Sequence, residues 1–175
     1  MRILVTLKVP SAVVQRMDTF KKKYFPAGFH KISSHVTLEA PFDLAGDFQE
    51  FVRDMGRLVK KIAPFTMAIE GIDVFHKKIL FFKFSKPEGL LQLSQEISKE
   101  VDLKFKRTAH ETSPEKREYQ PHSTISISSP ERIEKYKREI EPHAPTINFL
   151  VDGVCFYIWK RDHWHLEKEL LFKNS

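Results

Sequence analysis

One passage occurs twice in this chain, and that repetition limits the fold more than any single element does. Ile69-Glu70-Gly71-Ile72-Asp73-Val74-Phe75 aligns with Val151-Asp152-Gly153-Val154-Cys155-Phe156-Tyr157, offset by 82 residues (153 − 71). Each copy leads into a basic turn, Lys77-Lys78 or Lys160-Arg161, and then into a further strand. A repeated unit has to fold the same way twice and pack on its own image, commonly about a pseudo-twofold axis. The remaining segments keep the same order. Ile3-Leu4-Val5-Thr6-Leu7 and Ile79-Leu80-Phe81-Phe82-Lys83-Phe84 read as apolar strands, followed by Pro10 and Pro87. Proline suits the opening of a helix, where its missing N–H costs little. The helices that follow carry Val13, Val14, Met17, Phe20 and Tyr24, or Leu90, Leu91, Ile97 and Val101, at helical spacing.

Further along, Phe48, Phe51, Val52, Met55, Leu58, Val59 and Ile62 form one more amphipathic helix, answered by Ile133, Tyr136 and Ile140 in the second copy. Asp47 and Ser129 stand at N-cap positions and Pro130 at a first helical position. Gly71 and Gly153 mark a bulge or a close backbone approach within their strands. The pattern predicts an α+β fold with two similar lobes: a single domain over 1–175, with repeats of approximately 1–78 and 79–175. The copies diverge over Lys104 to Pro121, which is polar, basic and without apolar period; it reads as a surface loop leading into His122.

Composition supports a packed interior, with 41% apolar residues and fifteen Phe. A formal charge of +6 agrees with anionic partners without proving nucleic-acid binding. The single cysteine, Cys155, excludes an internal disulfide or a cysteine-rich zinc site, and its apolar neighbours predict a buried, inert thiol. The short apolar opening does not make a signal peptide and no segment has the length of a membrane span, so a cytoplasmic protein is expected.

The chemistry concentrates in two strings at matching places of the repeat, His35-Val36-Thr37-Leu38 and His122-Ser123-Thr124-Ile125. Read as strands, each sends its imidazole and its hydroxyl to one side, because residues i and i+2 share a face. Two such strands facing each other surround a small site with two proton-transfer groups and two hydroxyl donors, a set suited to metal-free acid–base work on a phosphate ester. A third His-x-Thr, His110-Glu111-Thr112, lies in the polar stretch and lacks a following apolar residue. It shows that the tripeptide alone is weak; strand context and repeat position supply the specificity. His163 and His165 share a strand face and could hold a metal as a pair, but no acidic or thiol ligand is evident beside them. His30, His76 and His143 read as solvated, as does the Lys21-Lys22-Lys23 run at a helix end.

These residues resemble the two-histidine (2H) phosphoesterases, the 2′-5′ RNA ligase-like superfamily, and among them the small bacterial members. The resemblance rests on His35-Val36-Thr37-Leu38 with Ala40-Pro41-Phe42, and on Tyr119-Gln120-Pro121-His122-Ser123-Thr124-Ile125. It spans essentially the whole chain; the departure is Ser33-Ser34 where a proline often precedes the first histidine. It implies a bilobed α+β protein with antiparallel sheets flanking a central cleft and helices on the outer faces. It also implies His35 and His122 as catalytic, Thr37 and Thr124 as phosphate-binding, no cofactor, and no metal. The substrate class implied is a small cyclic nucleotide or an RNA terminus, and the activities implied are hydrolysis of its cyclic phosphate and reversible formation of 2′-5′ linkages. No membrane and no obligate protein partner are inferred. By analogy His122 is the base and His35 the acid when a 2′-phosphate is made, with the roles exchanged for a 3′-phosphate. Tyr119 and Phe75 are candidates to stack on a base, core packing being the better account of Phe75. Lys77, Lys78, Lys106, Arg107, Lys160 and Arg161 are candidates for flanking phosphates. Two other readings stand beside this one: a binding module that holds phosphate or RNA in the same cleft without turnover, and a metal-dependent hydrolase built on His163 and His165.

Overall fold

The computed structural model describes residues 1–105 and 119–173. Among these residues, eight strands form two antiparallel four-stranded sheets. In chain order they are β1 (Arg2–Leu7), β2 (Thr37–Asp43), β3 (Phe65–Phe75), β4 (Ile79–Phe84), β5 (His122–Ile127), β6 (Ile147–Val151), β7 (Gly153–Lys160) and β8 (His163–Leu171). The first sheet runs β2-β1-β7-β8 and the second β5-β4-β3-β6. Among the described residues five α-helices accompany them: α1 (Ser11–Tyr24), α2 (Pro26–Lys31), α3 (Phe48–Val59), α4 (Glu88–Phe105) and α5 (Pro130–Ile140). The class is α+β, as the strand–helix order predicts.

Each sheet takes strands from both halves of the chain. The crossing point is the ladder between the start of β3 and β6, where Phe65 pairs with Val151, Met67 with Phe149 and Ile69 with Ile147. The repeat offset of 82 carries residue 67 onto 149, so the two middle residues of this ladder are each other's counterparts. β1 and β4 are buried along most of their length, which is why they read as continuous apolar runs without alternation. Helices cross over as well: α1 packs on β5, and α4 packs on β2. Ser126 Oγ donates to the Tyr24 carbonyl at 2.9 Å and Ser98 Oγ to Glu39 Oε2 at 2.6 Å, fixing these two contacts with buried hydroxyls. α3 lays Phe51 edge-on against Phe42 of β2 and Phe156 of β7, with all three rings essentially dry.

Local signals explain most boundaries. Asp47 caps α3 by accepting from the Glu50 amide at 2.9 Å, and Pro10 and Pro87 begin their helices with identical backbone bonds, from residues 13 and 14 or 90 and 91. The two glycines answer different needs. Gly71 has φ of 122° beside a register shift, whereas a Cβ at Gly153 would lie 2.4 Å from the Leu170 carbonyl oxygen across the ladder. The acidic residue before each glycine reaches a lysine, Glu70 to Lys83 on β4 at 3.9 Å and Asp152 to Lys8 just past β1 at 3.1 Å.

Four features depart from the sequence expectation. The strand carrying the first motif starts at Thr37, so His35 and Val36 precede it; the Val36 carbonyl still accepts from Leu7 at 2.9 Å. Helix α2 spans six residues, too few to display an apolar period. α4 continues through residues 104 and 105, where the sequence predicts the start of a surface loop, and residues 106–118 of that loop lie outside the described residues. Finally, β8 lies on the side of β7 away from β1, so it does not repeat the placement of β4 beside β3.

The close approach at Gly153 makes a direct prediction. Gly153→Ala should lower unfolding free energy by about 1–3 kcal/mol, the usual cost of forced overpacking. Urea denaturation reads it, and an unchanged midpoint would contradict the geometry.

Candidate active site

β2 and β5, the strands that carry the two motifs, are each the terminal strand of their sheet. Tyr119, just ahead of β5, donates its hydroxyl to the Thr37 carbonyl at 2.7 Å and so ties one motif to the other. Along each string the accessible and buried residues alternate. His35, Thr37, His122 and Thr124 are half-buried, while Val36, Leu38, Ser123 and Ile125 are buried. The imidazole and hydroxyl of each motif therefore share the more open side, as period-two geometry requires.

The two histidines are held by the same bond. Nδ1 of His35 lies 2.8 Å from the Ser33 carbonyl, and Nδ1 of His122 lies 2.8 Å from the Gln120 carbonyl. A carbonyl oxygen only accepts, so Nδ1 carries the hydrogen in both rings. In the neutral form Nε2 is then the basic nitrogen of each. Bonding of Nδ1 to backbone two residues upstream also fixes ring orientation, which proton transfer demands.

Their electrostatics differ. Burial, followed by the Lys21 ammonium, pushes His35 down to about 4, with His122 adding a smaller push in the same direction. The two rings are thus close enough for the charge of one to disfavour charge on the other. His122 also falls below the ordinary imidazole value, through burial, partly offset by its bond to Gln120. Lys21 is itself buried and pushed down to about 8 by loss of solvent. Its Nζ donates to the carbonyls of Ile32 at 2.9 Å and Ser33 at 3.4 Å. The neighbouring buried Asp18 accepts from the Ser34 amide at 2.7 Å.

Aromatic rings line the His122 side. Phe75 stacks on Phe81 at 3.9 Å between centroids, and both meet the His122 ring edge-on, at 5.1 and 5.5 Å. Phe81 is buried, whereas Phe75 is half-buried and presents part of its ring beside the histidine. Lys83 stands directly opposite His122 in the β4–β5 register, hence on the same face.

Other sequence candidates fare differently. Tyr119 has its hydroxyl committed to Thr37 and its ring packed against the core, so it is a tether between the motifs. Arg107 and Lys106, like His110-Glu111-Thr112, lie outside the described residues. Cys155 is buried, and burial together with Glu169 pushes its thiol up to about 12, in keeping with an inert role. The His163 and His165 rings lie 4.1 Å apart, with His163 bonded to Asp162 at 2.7 Å. Among the described residues no group of three or more His, Cys, Asp or Glu could hold a metal ion, and no helix is long and apolar enough to cross a membrane. Sequence reasoning passes over Lys21, which reads as part of a solvated run, and Lys83. The signal for Lys21 is its place on the buried stripe with Val13 and Met17; Lys83 needs the strand register.

The depressed His35 sets a pH dependence. Its pKa is about 4 in the folded chain against an ordinary 6.5, so between those values the unfolded chain binds more protons. The contribution is fully present above about pH 6.5 and is lost as pH falls toward 4. His35→Gln should therefore flatten the decline of urea-unfolding free energy between pH 7 and 4.5. Parallel curves for the two proteins would contradict the lowered proton affinity of this ring.

Comparison with known proteins follows the same line. The sequence profile of the 2′-5′ RNA ligase superfamily matches residues 9–163. A Bacillus cytotoxicus protein, provisionally named a phosphoesterase, is 27% identical over 94 residues, 51% of this chain and 54% of its own. The chain thus spans about half the length of that curated relative. Among solved structures, a Thermus thermophilus protein superposes with a TM-score of 0.65 at 17% identity, over 98% of this chain and 97% of its own. Escherichia coli LigT, solved with 3′-AMP, gives 0.63 at 15% identity, over 99% and 98%. Usb1 of Kluyveromyces marxianus, solved with uridine monophosphate, gives 0.51 at 11%, over 97% of each chain. At these identities the structural likeness speaks for the fold. The profile, in contrast, covers most of the sequence, and the chain accordingly belongs to the 2′-5′ RNA ligase superfamily of two-histidine phosphoesterases.

Proposed function

We propose that this protein is a phosphoesterase that opens a cyclic phosphodiester, a 2′,3′-cyclic nucleotide or a cyclic RNA end, by acid–base catalysis between His35 and His122. One observation carries the reading: both rings donate from Nδ1 to a carbonyl two residues upstream, so both turn Nε2 to the task of proton transfer. Nε2 of one ring takes a proton from water as the water oxygen bonds to phosphorus. The ring phosphorus–oxygen bond breaks, and the leaving ribose oxygen takes a proton from Nε2 of the other. Thr37 and Thr124 donate to the non-bridging oxygens, where charge grows in the transition state. These steps use side chains alone and need no cofactor. With the hydroxyl of a second ribose in place of water, the same ring-opening forms a 2′-5′ linkage; run backwards, it breaks that linkage and closes the cyclic phosphate.

Family membership supports this reading, and so does the nucleotide bound by two relatives of similar fold, 3′-AMP by LigT and uridine monophosphate by Usb1. Phe75 offers a partly open ring next to His122 for a base to stack on. Because each sheet mixes both halves, the two repeats act as one functional unit over 1–175.

Turnover of 2′,3′-cyclic mononucleotides and cyclic-ended oligoribonucleotides, measured with a chelator present, tests the proposal. His35→Ala and His122→Ala should each lower kcat/KM by roughly 10²- to 10⁴-fold, and the wild-type profile against pH should be bell-shaped. Thr37→Val and Thr124→Val should mainly lower kcat. Full activity in both histidine variants would overturn the mechanism. Tight nucleotide binding with no product would favour a binding module instead, and loss of wild-type activity with chelator a metal-dependent hydrolase.

A further inference from the structure

The repeat makes the two histidines look interchangeable, yet what lies beneath them differs. α1 and α4 start with the same backbone bonds to Pro10 and Pro87, which aligns Lys21 with Ser98 and Asp18 with Gln95. In α1 these positions are charged and buried, and both grip the turn that leads to His35. Asp18 holds the Ser34 amide, and Lys21 holds the carbonyls of Ile32 and Ser33. The Ser33 oxygen is the same atom that accepts from His35 Nδ1. In α4 Ser98 bonds Glu39 on β2 instead, so the position equivalent to Lys21 brings no ammonium to the Gln120 carbonyl that orients His122.

We propose that Lys21, clamped with Asp18 under the 32–34 turn, is a positioning residue that keeps His35 the neutral, proton-accepting member of the pair and leaves His122 as the proton donor. The inference rests on the two-histidine reading above and deepens it. Lys21 acts twice on one ring. Its charge opposes a second positive charge at His35, and its bond to the Ser33 oxygen draws electron density from the carbonyl that would otherwise stabilise an imidazolium. Among the described residues, the charged and titratable groups that bear on His35 are Lys21 and Asp18 from α1 and His122 from β5; Asp18 acts in the opposite sense to the two cations. Opposite His122 on β4 stands Lys83, paired with Glu70 at 3.9 Å, and among the described residues burial lowers His122 with no charged neighbour adding to it. In hydrolysis, then, water gives its proton to His35 Nε2 and the leaving ribose oxygen takes one from His122 Nε2. The rings return to their starting states by exchanging one proton with solvent. This reverses the assignment that the family resemblance implies for a 2′-phosphate product.

Imidazole titrations followed by NMR from pH 3 to 9 test it without any substrate. Lys21→Met should raise the His35 pKa by roughly one unit, as loss of a nearby like charge does, and leave His122 within a few tenths. Asp18→Asn, which keeps an acceptor for the Ser34 amide, should move His35 the other way. A His35 value unmoved in either folded variant, or equal shifts in both rings, would overturn the proposal, whether or not cyclic phosphates prove to be substrates. With an active substrate, Lys21→Met should carry the acidic limb of the kcat/KM profile upward with His35 and leave the alkaline limb in place. Movement of the alkaline limb alone would reverse the assigned roles.

Discussion

The antiparallel ladder between β3 and β6 is the constraint on which the other relationships depend. It joins the two halves at the residues that are each other's counterparts, Met67 and Phe149, and leaves neither half with a sheet of its own. β7 and β8 complete the sheet begun by β1 and β2, while β3 extends the sheet begun by β4 and β5. The motif strands β2 and β5 are thereby pushed to corresponding edges. Their helices are exchanged too, since α1 covers β5 and α4 covers β2. Separating the halves would expose backbone donors and acceptors along β3 and β6 together with a large apolar area, both costly in water.

Within that frame, identical local bonding gives the two imidazoles the same tautomer, and unequal surroundings give them different proton affinities. The bond from Nδ1 to a carbonyl two residues upstream is local, so it survives duplication intact at both sites. Burial of Lys21 and Asp18 is a tertiary matter and occurs under one site. A buried ammonium is expensive, and loss of solvent accordingly lowers the Lys21 pKa. That expense falls beside the proposed active site, where departures from the most stable arrangement are expected.

Much of the fold is legible in the chain because the repeat multiplies weak signals. Helix α3 is marked by its apolar stripe and by Asp47, and α1 and α4 by a proline followed by helical spacing. The two motifs are visible for the same reason, as His-x-Thr strings at corresponding places. Less visible is α2, a six-residue helix with no periodic face. The start of β2 falls later than its sequence suggests, because Asp18 and Lys21 pull residues 32–34 into a turn before the ladder begins. Tyr119 reads as a candidate to stack on a base, and nothing in sequence reveals that its hydroxyl meets the Thr37 carbonyl.

By itself the amino-acid order determined the class of fold, the existence of two related halves and the pairing of each histidine with a threonine two residues on, at the head of a strand. Those follow from period, spacing and repetition, which act over a few residues. Tertiary structure alone decided which strands share a sheet, that Phe75 stands beside His122, and that the lysine at position 21 is buried under one imidazole and not exposed on a helix end. Such outcomes depend on contacts between residues far apart in the chain, and a local pattern carries no information about what the opposite surface will present.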